Sequence, residues 1–201
     1  MIISECIGCK LFPCTDVRYG SYTLPPVDID PSSVSIIMIS EAAPQDKADY
    51  YYSGGESLFE RTTLLAFSDA GSEAEEFQDL VDLGVYFTTA VKCGKTGYGI
   101  KATTIQECSR ILEQELALFP NIKVLMLMGD VAIKALNYIA KGQGEPRVIP
   151  AGSTYKIRGP LYTYRGIRAF PSYLQAGPSF FIEKSKRKMI AEDVSEAMKY
   201  L

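Results

Sequence analysis

Short runs of apolar and β-branched residues recur along the chain, separated by segments with helical periodicity. The runs VSIIMIS (34–40), VYFTTAV (85–91) and KVLMLMG (123–129) have the length of strands, and their composition is typical of strands buried on both faces. Residues 166–170 supply a fourth predicted strand. Strands that alternate with helices are joined by right-handed crossovers into parallel sheets. The sequence therefore predicts an α/β fold, a three-layer α/β/α sandwich around a central, mainly parallel, four-stranded sheet.

The segments that follow these strands are the expected place for a function, because parallel sheets bind ligands beyond the carboxyl ends of their strands. Those segments are 40–44, 89–93, 129–130 and 170–172. Capping signals predict helices between them. Ser72 has the spacing of an N-cap for a helix over 73–82, and Ser179 is a candidate N-cap for a long C-terminal helix.

Histidine is absent from all 201 residues. No imidazole can therefore act as a general base or metal ligand, which excludes Ser-His-Asp and Cys-His catalysis and His-ligated zinc, haem and non-haem iron. The amino terminus does not have the pattern of a secretory signal, so we expect a cytoplasmic protein with reduced or metal-bound thiols. The longest apolar run, Val124–Met128, is too short to span a bilayer, and we expect a monomer with no membrane partner.

The charges divide unevenly along the chain. Residues 1–140 carry 10 Lys and Arg against 19 Asp and Glu, whereas residues 141–190 carry 10 against 2. A basic C-terminal third indicates a polyanionic partner, although scattered solvated charge would give the same counts.

Four of the five cysteines have a spacing typical of metal ligands. Cys6 and Cys9 form a C-x2-C pair, and Cys93 and Cys108 lie far downstream. Thiolates without histidine suit a tetrahedral zinc ion or an iron–sulfur cluster. Two alternatives stay open, since paired thiols also form redox sites and Cys108 falls on the apolar side of a predicted helix.

The order of these features resembles the family-4 uracil-DNA glycosylases, the iron–sulfur members of the uracil-DNA glycosylase superfamily. The similar segments are CIGCKL (6–11), IMISEAAP (37–44), YFTTAVKC (86–93), QEC (106–108), MGDVAIKAL (128–136) and FPS (170–172). The resemblance covers nearly the whole chain and implies one uracil-DNA glycosylase-like domain over residues 1–201.

The resemblance also implies a structural 4Fe-4S cluster held by Cys6, Cys9, Cys93 and Cys108. Such a cluster would join the N-terminal cysteine-bearing segment to the body of the domain. Zinc is the alternative metal, and Cys14 is a spare thiol or an alternative ligand.

Two strand-end residues are candidates for catalysis, the first of them through the resemblance. Glu41 matches an acidic residue that orients water or stabilises positive charge on the sugar, although a surface carboxylate or helix cap is the plain alternative. Ser172 and nearby backbone N–H groups are candidates for stabilising the leaving base. Ala42, Leu58 and Phe59 are predicted to contact the base, and the last two are also plausible core residues.

Two positions depart from the family pattern. The family reads TNVVKC where this chain reads TTAVKC, so Thr89 replaces the asparagine that reads the base. Phe170 replaces the histidine of the HPS motif, and no other histidine can substitute for it. Because one hydroxyl cannot reproduce the donor and acceptor of an amide, the resemblance leaves open a different base or an inactive site.

The segment FPSYLQAGPSFFIEKSKRK is the predicted nucleic-acid contact. Pro171 and Ser172 would face phosphates, and Tyr173 or Leu174 would fill the gap left by an extruded nucleotide. Positive charge would come from Lys184, Lys186, Arg187 and Lys188, which could alternatively form only a solvated helix face. Tyr50, Tyr51 and Tyr52 are further candidates for stacking on bases.

These features together predict a DNA-binding glycosylase that hydrolyses the N-glycosidic bond of uracil or another deaminated base. Damaged, uracil-containing or single-stranded DNA is the expected partner. The alternative is a catalytically weak or inactive iron–sulfur paralogue that binds nucleic acid. A redox or zinc protein acting through Cys6 and Cys9 is a third possibility, but it explains neither the strand-end motifs nor the basic third of the chain.

Overall fold

The computed structural model of the chain describes residues 1–54 and 57–201. Its strands are β1 (Val17–Arg18), β2 (Ile36–Ala42), β3 (Val85–Val91), β4 (Gly94–Lys95), β5 (Val124–Met128), β6 (Tyr162–Tyr164) and β7 (Ile167–Ser172). Its α-helices are α1 (Ile3–Cys6), α2 (Leu58–Asp69), α3 (Phe77–Asp82), α4 (Ala102–Leu116), α5 (Asp130–Gly142), α6 (Thr154–Ile157) and α7 (Lys184–Met198). Short 3-10 turns occur at Tyr19–Ser21, Pro31–Ser33, Lys47–Asp49 and Pro178–Phe181.

The main sheet has five strands in the order β3-β2-β5-β7-β6. The four predicted strands are present and pair in parallel, which confirms the mainly parallel sheet. The prediction of four strands missed β6, which pairs antiparallel with β7 at one edge. β6 has only three residues and joins β7 through Arg165 and Gly166, both at positive φ. Arginine rarely occupies such a turn position, so the hairpin has no recognisable turn signal in the sequence.

Helices cover both faces of this sheet, as the three-layer prediction requires. α4 and α5 pack together on one face, where α5 contacts β2, β3 and β5. On the other face α2 packs against α7, α3 contacts β3, and α7 contacts β7. Residues of β2, β3 and β5 are almost all buried, because helices shield both sides of these strands.

Two predicted helix starts are wrong. α3 begins at Phe77 instead of residue 73, because the Asp79 carboxylate accepts hydrogen bonds from the backbone N–H groups of Glu75 and Glu76. Ser179 lies in a 3-10 turn rather than at an N-cap, and the terminal helix α7 begins at Lys184.

The three tyrosines predicted to stack on bases instead cover the edge strand β3. The hydroxyl oxygen of Tyr52 accepts a hydrogen bond at 2.8 Å from the backbone N–H of Phe87, which no neighbouring strand can satisfy. Tyr50 and Tyr51 are fully buried. The prediction that Tyr50 and Tyr51 stack on bases is therefore wrong, because neither ring has a free face.

A buried ion pair joins the residue that follows β3 to α4. The Lys92 ammonium contacts the Glu115 carboxylate, and both side chains are fully buried. Lys92 also donates to the hydroxyl of Thr88 at 2.8 Å and the carbonyl of Thr89 at 2.6 Å. Glu115 accepts from the hydroxyls of Tyr86 and Thr88, so the buried charges have polar partners.

Within the described ranges, none of the helices combines the length and the apolar composition that a membrane span requires.

Candidate functional site

Two adjoining cavities form a cleft beyond the carboxyl ends of β2 and β5. The first, here the apolar lobe, has a volume of about 480 Å³ and is lined chiefly by Ala42, Pro44, Leu58, Phe59, Leu174 and Pro178. The second, the charged lobe, measures about 430 Å³ and is lined by Asp130, Thr154, Tyr173, Glu183, Lys186 and Arg187, among others. Both lobes share Glu41, Lys95, Leu174 and Ser179. The cleft therefore presents a carboxylate and an ammonium between an apolar and a polar wall.

Glu41 occupies the boundary between the lobes because it is near the end of β2, next to the start of α5. A Cβ at Gly129 would come within 2.5 Å of the Glu41 Oε1 atom, so this approach requires glycine. Burial raises the pKa of Glu41, while the backbone N–H groups of Val131 and Asp130 and the ammonium of Lys95 lower it. The carboxylate thus agrees with both alternatives given for Glu41, since it lies at a helix N-terminus and also lines the cleft.

The predicted base contacts on α2 lie in the cleft. Leu58 and Phe59 line the apolar lobe with Ala42. Ser57 fixes the start of the helix, because its side chain accepts from the backbone N–H of Glu60 at 3.2 Å. Phe59 also packs against the ring of Tyr51 at 5.2 Å, so it belongs to both the cleft wall and the core.

Thr89 does not line either lobe. Its side chain is fully buried, and its hydroxyl has no hydrogen-bond partner among the described residues. The hydroxyl of Tyr50, also buried, has no partner by the same criterion. The two hydroxyls nevertheless lie near each other, because hydrogen bonding to Thr89 lowers the pKa of Tyr50 against the larger effect of burial.

The FPS segment is part of the core rather than of the cleft surface, because β7 continues through Ser172. The Phe170 ring lies 4.1 Å from the Arg168 guanidinium carbon and packs edge-on against Tyr200. Pro171 is buried in the strand. The hydroxyl of Ser172 is fully buried and hydrogen-bonded to the Asp193 carboxylate at 2.6 Å.

The structure thus places Phe170, Pro171 and Ser172 away from a base or phosphate in the cleft. In this structure Ser172 anchors α7 through its hydrogen bond to Asp193. Burial raises the pKa of Asp193, and the ion pair with Arg158 lowers it.

Tyr173 and Leu174, which follow β7, line the cleft as the predicted wedge requires. On α7, Lys186 lies 5.4 Å above the Tyr173 ring and pairs with Glu183 at 2.6 Å. Arg187 contacts Asp69 of α2, with one of its hydrogen bonds measuring 2.7 Å.

Lys184 and Lys188 are exposed on the same helix. The four predicted cations therefore divide into two cleft-lining, ion-paired side chains and two exposed ones.

Lys95 is the functional candidate that the motifs missed. It lines both lobes beside Glu41, two residues beyond the strand-end segment 89–93. A cation two residues after the Lys-Cys pair was the available signal. The direction of its side chain depends on the pairing of β4 with β1, which the motifs do not reveal.

The cysteines gather around a separate cavity of about 720 Å³ between the N-terminal segment and α4. Cys6, Cys9, Cys14 and Cys108 line it. Cys93 is buried close by: burial, followed by the charges of Cys108, Cys9 and Cys14, raises the pKa of Cys93 to about 12. All five cysteines are free thiols.

The donor chemistry of this region fits a thiophilic metal or cluster, because thiols surround the cavity in a chain without histidine. Within the described ranges, however, no three Cys, Asp or Glu side chains converge in the geometry of a metal site. Cys6 is exposed, with its thiol 3.7 Å from the carbonyl oxygen of Ile2, whereas Cys14 is partly buried. If Cys9, Cys93 and Cys108 are ligands as expected, the sequence motif favours Cys6 as the fourth and burial favours Cys14.

A profile of the uracil DNA glycosylase superfamily matches residues 26–193, which is most of the chain. The chain belongs to the uracil DNA glycosylase superfamily. The matched residues include both lobes of the cleft, the buried ion pair and the two downstream cysteines. A search of curated proteins finds no match.

Superfamily membership confirms the family expectation at its broad level and agrees with the α/β/α architecture. Closeness to the family-4 enzymes stays a prediction. The match begins at residue 26, so the segment that carries Cys6, Cys9 and Cys14 lies outside it.

Proposed function

We propose that this protein is a DNA glycosylase that hydrolyses the N-glycosidic bond of uracil or another deaminated base. The observation that carries the proposal is the placement of Glu41. Its carboxylate is partly buried at a strand end, lies next to the start of α5 and faces a cleft large enough for an extruded base. Membership of the superfamily supports the same chemistry.

Glu41 supplies the negative charge that such a reaction needs. As the bond from C1′ to the base breaks, the sugar becomes positively charged, and a nearby carboxylate stabilises that charge in a site shielded from water. The same carboxylate accepts a proton from the water that attacks C1′. The Glu41 carboxylate meets the positional requirement for both roles, because it lines both lobes.

The basic α7 supports DNA as the partner. In its first turn, Lys186 and Arg187 are already paired with Glu183 and Asp69, whereas Lys184 is exposed, as is Lys188 one turn later. A phosphate chain along this helix would contact Lys184 and Lys188. Leu174 and Tyr173, at the mouth of the cleft, are placed to fill the space left by an extruded nucleotide.

The proposal includes a structural iron–sulfur cluster held by Cys6, Cys9, Cys93 and Cys108. When bound, the cluster supplies a covalent clamp between segments that share little core. Burial of Cys93 and Cys108 and the shared cavity of the upstream cysteines support this arrangement. A reducing, cytoplasmic location, as expected from the sequence, would keep these cysteines available as ligands.

The test is a base-excision assay with the full-length protein. Single-stranded and double-stranded oligonucleotides carrying uracil, hypoxanthine or xanthine are incubated with wild type and Glu41→Gln, then cleaved at abasic sites with alkali. We expect excision of at least one of these bases by wild type. A wild type that excises none of them would overturn the proposal.

A second function is favoured by one specific observation. Thr89 and Phe170, at the base-reading and leaving-group positions, are buried and do not line the cleft. The protein would then bind DNA without excising a base. Tight binding to uracil-containing DNA without product, equal in wild type and Glu41→Gln, would favour this function.

A further inference from the structure

The cleft holds a cation that none of the family motifs accounts for. Lys95 belongs to β4, two residues after Cys93, and its side chain lines both lobes. Its ammonium donates to the carbonyl oxygen of Tyr98 at 3.3 Å. Across residues 1–54 and 57–201 it forms no ion pair. Its charge is therefore available to a ligand in the cleft.

Three contacts hold the backbone of Lys95 at the cleft wall. Lys95 pairs with Val17 of β1, and the Gln45 amide donates to the Lys95 carbonyl oxygen at 3.2 Å. Gly94 approaches the loop after β2 so closely that a Cβ there would lie 2.8 Å from the carbonyl oxygen of Pro44. A packed segment thus fixes Lys95 relative to the loop that follows Glu41.

Charged groups from several elements face Lys95 across the cleft. Glu41 is close enough for the Lys95 charge to lower the pKa of Glu41 against the larger effect of burial. The other charged groups that line the lobes are Asp49, Asp130, Glu183, Lys186 and Arg187. Lys186 and Arg187 already pair with Glu183 and Asp69. Lys95 is therefore the cleft-lining cation without a carboxylate partner in the described part of the chain.

We propose that Lys95 stabilises the negative charge on the departing base, an inference that rests on the proposed glycosylase function. The bond between C1′ and the base nitrogen breaks, and its electron pair leaves with the base. Water adds to C1′ and gives its proton to the Glu41 carboxylate, and the base anion later takes a proton from solvent. Glu41 thus acts on the positive sugar and Lys95 on the negative base, in a chain with no histidine for that role.

The test measures how tightly the protein binds the ionised form of a base. Wild type, Lys95→Gln and Lys95→Arg are saturated with DNA that carries a tetrahydrofuran abasic site, and free 5-fluorouracil is added. Fluorine NMR follows its binding as pH rises through the ionisation of the base. Wild type should bind it at least about tenfold more tightly when it is ionised, Lys95→Arg should keep most of this gain, and Lys95→Gln should lose it.

Excision provides the second readout. Lys95→Gln should slow single-turnover excision by about 10²–10³ while its affinity for abasic DNA stays unchanged. Equal melting temperatures of the three proteins would exclude misfolding as the cause.

Each contrary result has a defined meaning. Binding of 5-fluorouracil that does not depend on pH in wild type, or depends on it equally in Lys95→Gln, overturns the role of Lys95 even if uracil is excised. Weaker binding of Lys95→Gln to all DNA, with a smaller salt dependence, assigns Lys95 to a phosphate and also overturns it. Base binding that depends on pH, without any excision, supports the role of Lys95 and counts only against the glycosylase function.

Discussion

Glu41 combines a position at the start of α5 with the chemical role proposed for it. The nearby backbone N–H groups of Val131 and Asp130 lower the pKa of its carboxyl, while burial keeps that pKa above the ordinary value. A carboxyl with a raised pKa is protonated at low pH and ionised only above that pKa. Its proposed function as a base therefore sets a lower pH limit for the reaction.

The pH profile of excision tests this limit. We expect the single-turnover rate of wild type to rise with pH through an apparent pKa above about 4.3, the usual value for glutamate, because only ionised Glu41 accepts the proton of water. Rates are measured from about pH 4 to pH 8. Glu41→Gln should lose this rise together with most of the rate. A wild-type rate independent of pH over this range would contradict the role of Glu41.

The buried pair of Lys92 and Glu115 is expected to dominate the effect of single charges on stability. Glu115→Gln leaves the Lys92 ammonium buried without its carboxylate, which should lower the free energy of unfolding by about 3–5 kcal/mol. Urea unfolding measures the change. Glu196→Gln, which removes an exposed pair with Lys199, is the matched control and should cost at most about 1 kcal/mol. Equal effects of the two substitutions would contradict this account.

Single residues differ in how far the sequence could predict them. Glu41 was predictable, because it follows a buried apolar run and the end of such a strand lies at the ligand-binding edge of the sheet. Thr89 and Phe170 were not, because their exposure depends on where β3 and β7 end. Both strands continue beyond these residues, which places the two side chains inside the layers instead of at their edge.

At the scale of elements, α7 joins the core to the proposed DNA surface. Ile190 and Val194 are buried, and the Asp193 carboxylate accepts a hydrogen bond from the hydroxyl of Ser172. The opposite face carries the exposed Lys184 and Lys188. The helix therefore fixes the position of these two cations relative to the cleft.

Removal of these two cations should weaken DNA binding in a way that depends on salt. Lys184→Gln/Lys188→Gln is expected to lower the affinity for DNA of any sequence and to reduce the slope of log K against log salt by about two, one for each lost phosphate contact. Fluorescence anisotropy across a salt series measures both effects. Lys199→Gln, past the other end of α7, should leave the slope unchanged. An unchanged slope in the double variant would assign Lys184 and Lys188 to a solvated face only.

The elements themselves were largely predictable, since the three long apolar runs and the predicted strand at 166–170 all became strands of the sheet. The failures have local causes. Asp79 accepts from two preceding backbone N–H groups and shifts the start of α3, and the turn at Arg165 hides the hairpin of β6. Lys95 was missed because its place at the cleft depends on the pairing of β4 with β1, which joins segments far apart in the sequence.

At the scale of the whole molecule, the basic C-terminal third supplies one rim of the cleft. Tyr173, Lys186 and Arg187 come from this part of the chain, whereas Glu41 and Lys95 come from the acidic part. The fold thus brings the proposed DNA-binding rim from one part of the sequence to the proposed catalytic carboxylate from another. Cys93, which lies near the cysteine-lined cavity, directly precedes β4, which carries Lys95.

The metal content tests the proposed clamp. Protein purified without oxygen should be brown and contain about four iron and four sulfide per chain. Cys9→Ser, Cys93→Ser, Cys108→Ser and Cys6→Ser should lose iron and lower the melting temperature, whereas Cys14→Ser should keep both. Loss of iron in Cys14→Ser but not in Cys6→Ser would show that Cys14, and not Cys6, is the fourth ligand. Colourless protein that contains zinc would contradict the cluster.

The central claim is that Glu41 in this cleft catalyses base excision from DNA. It is tested most directly by single-turnover excision of uracil, hypoxanthine and xanthine from matched oligonucleotides by wild type and Glu41→Gln, with both proteins bound to DNA at saturation. The predicted result is release of at least one base by wild type and a loss of about 10²-fold or more in Glu41→Gln, without a change in DNA affinity. No release by wild type, or equal release by both proteins, would contradict the claim.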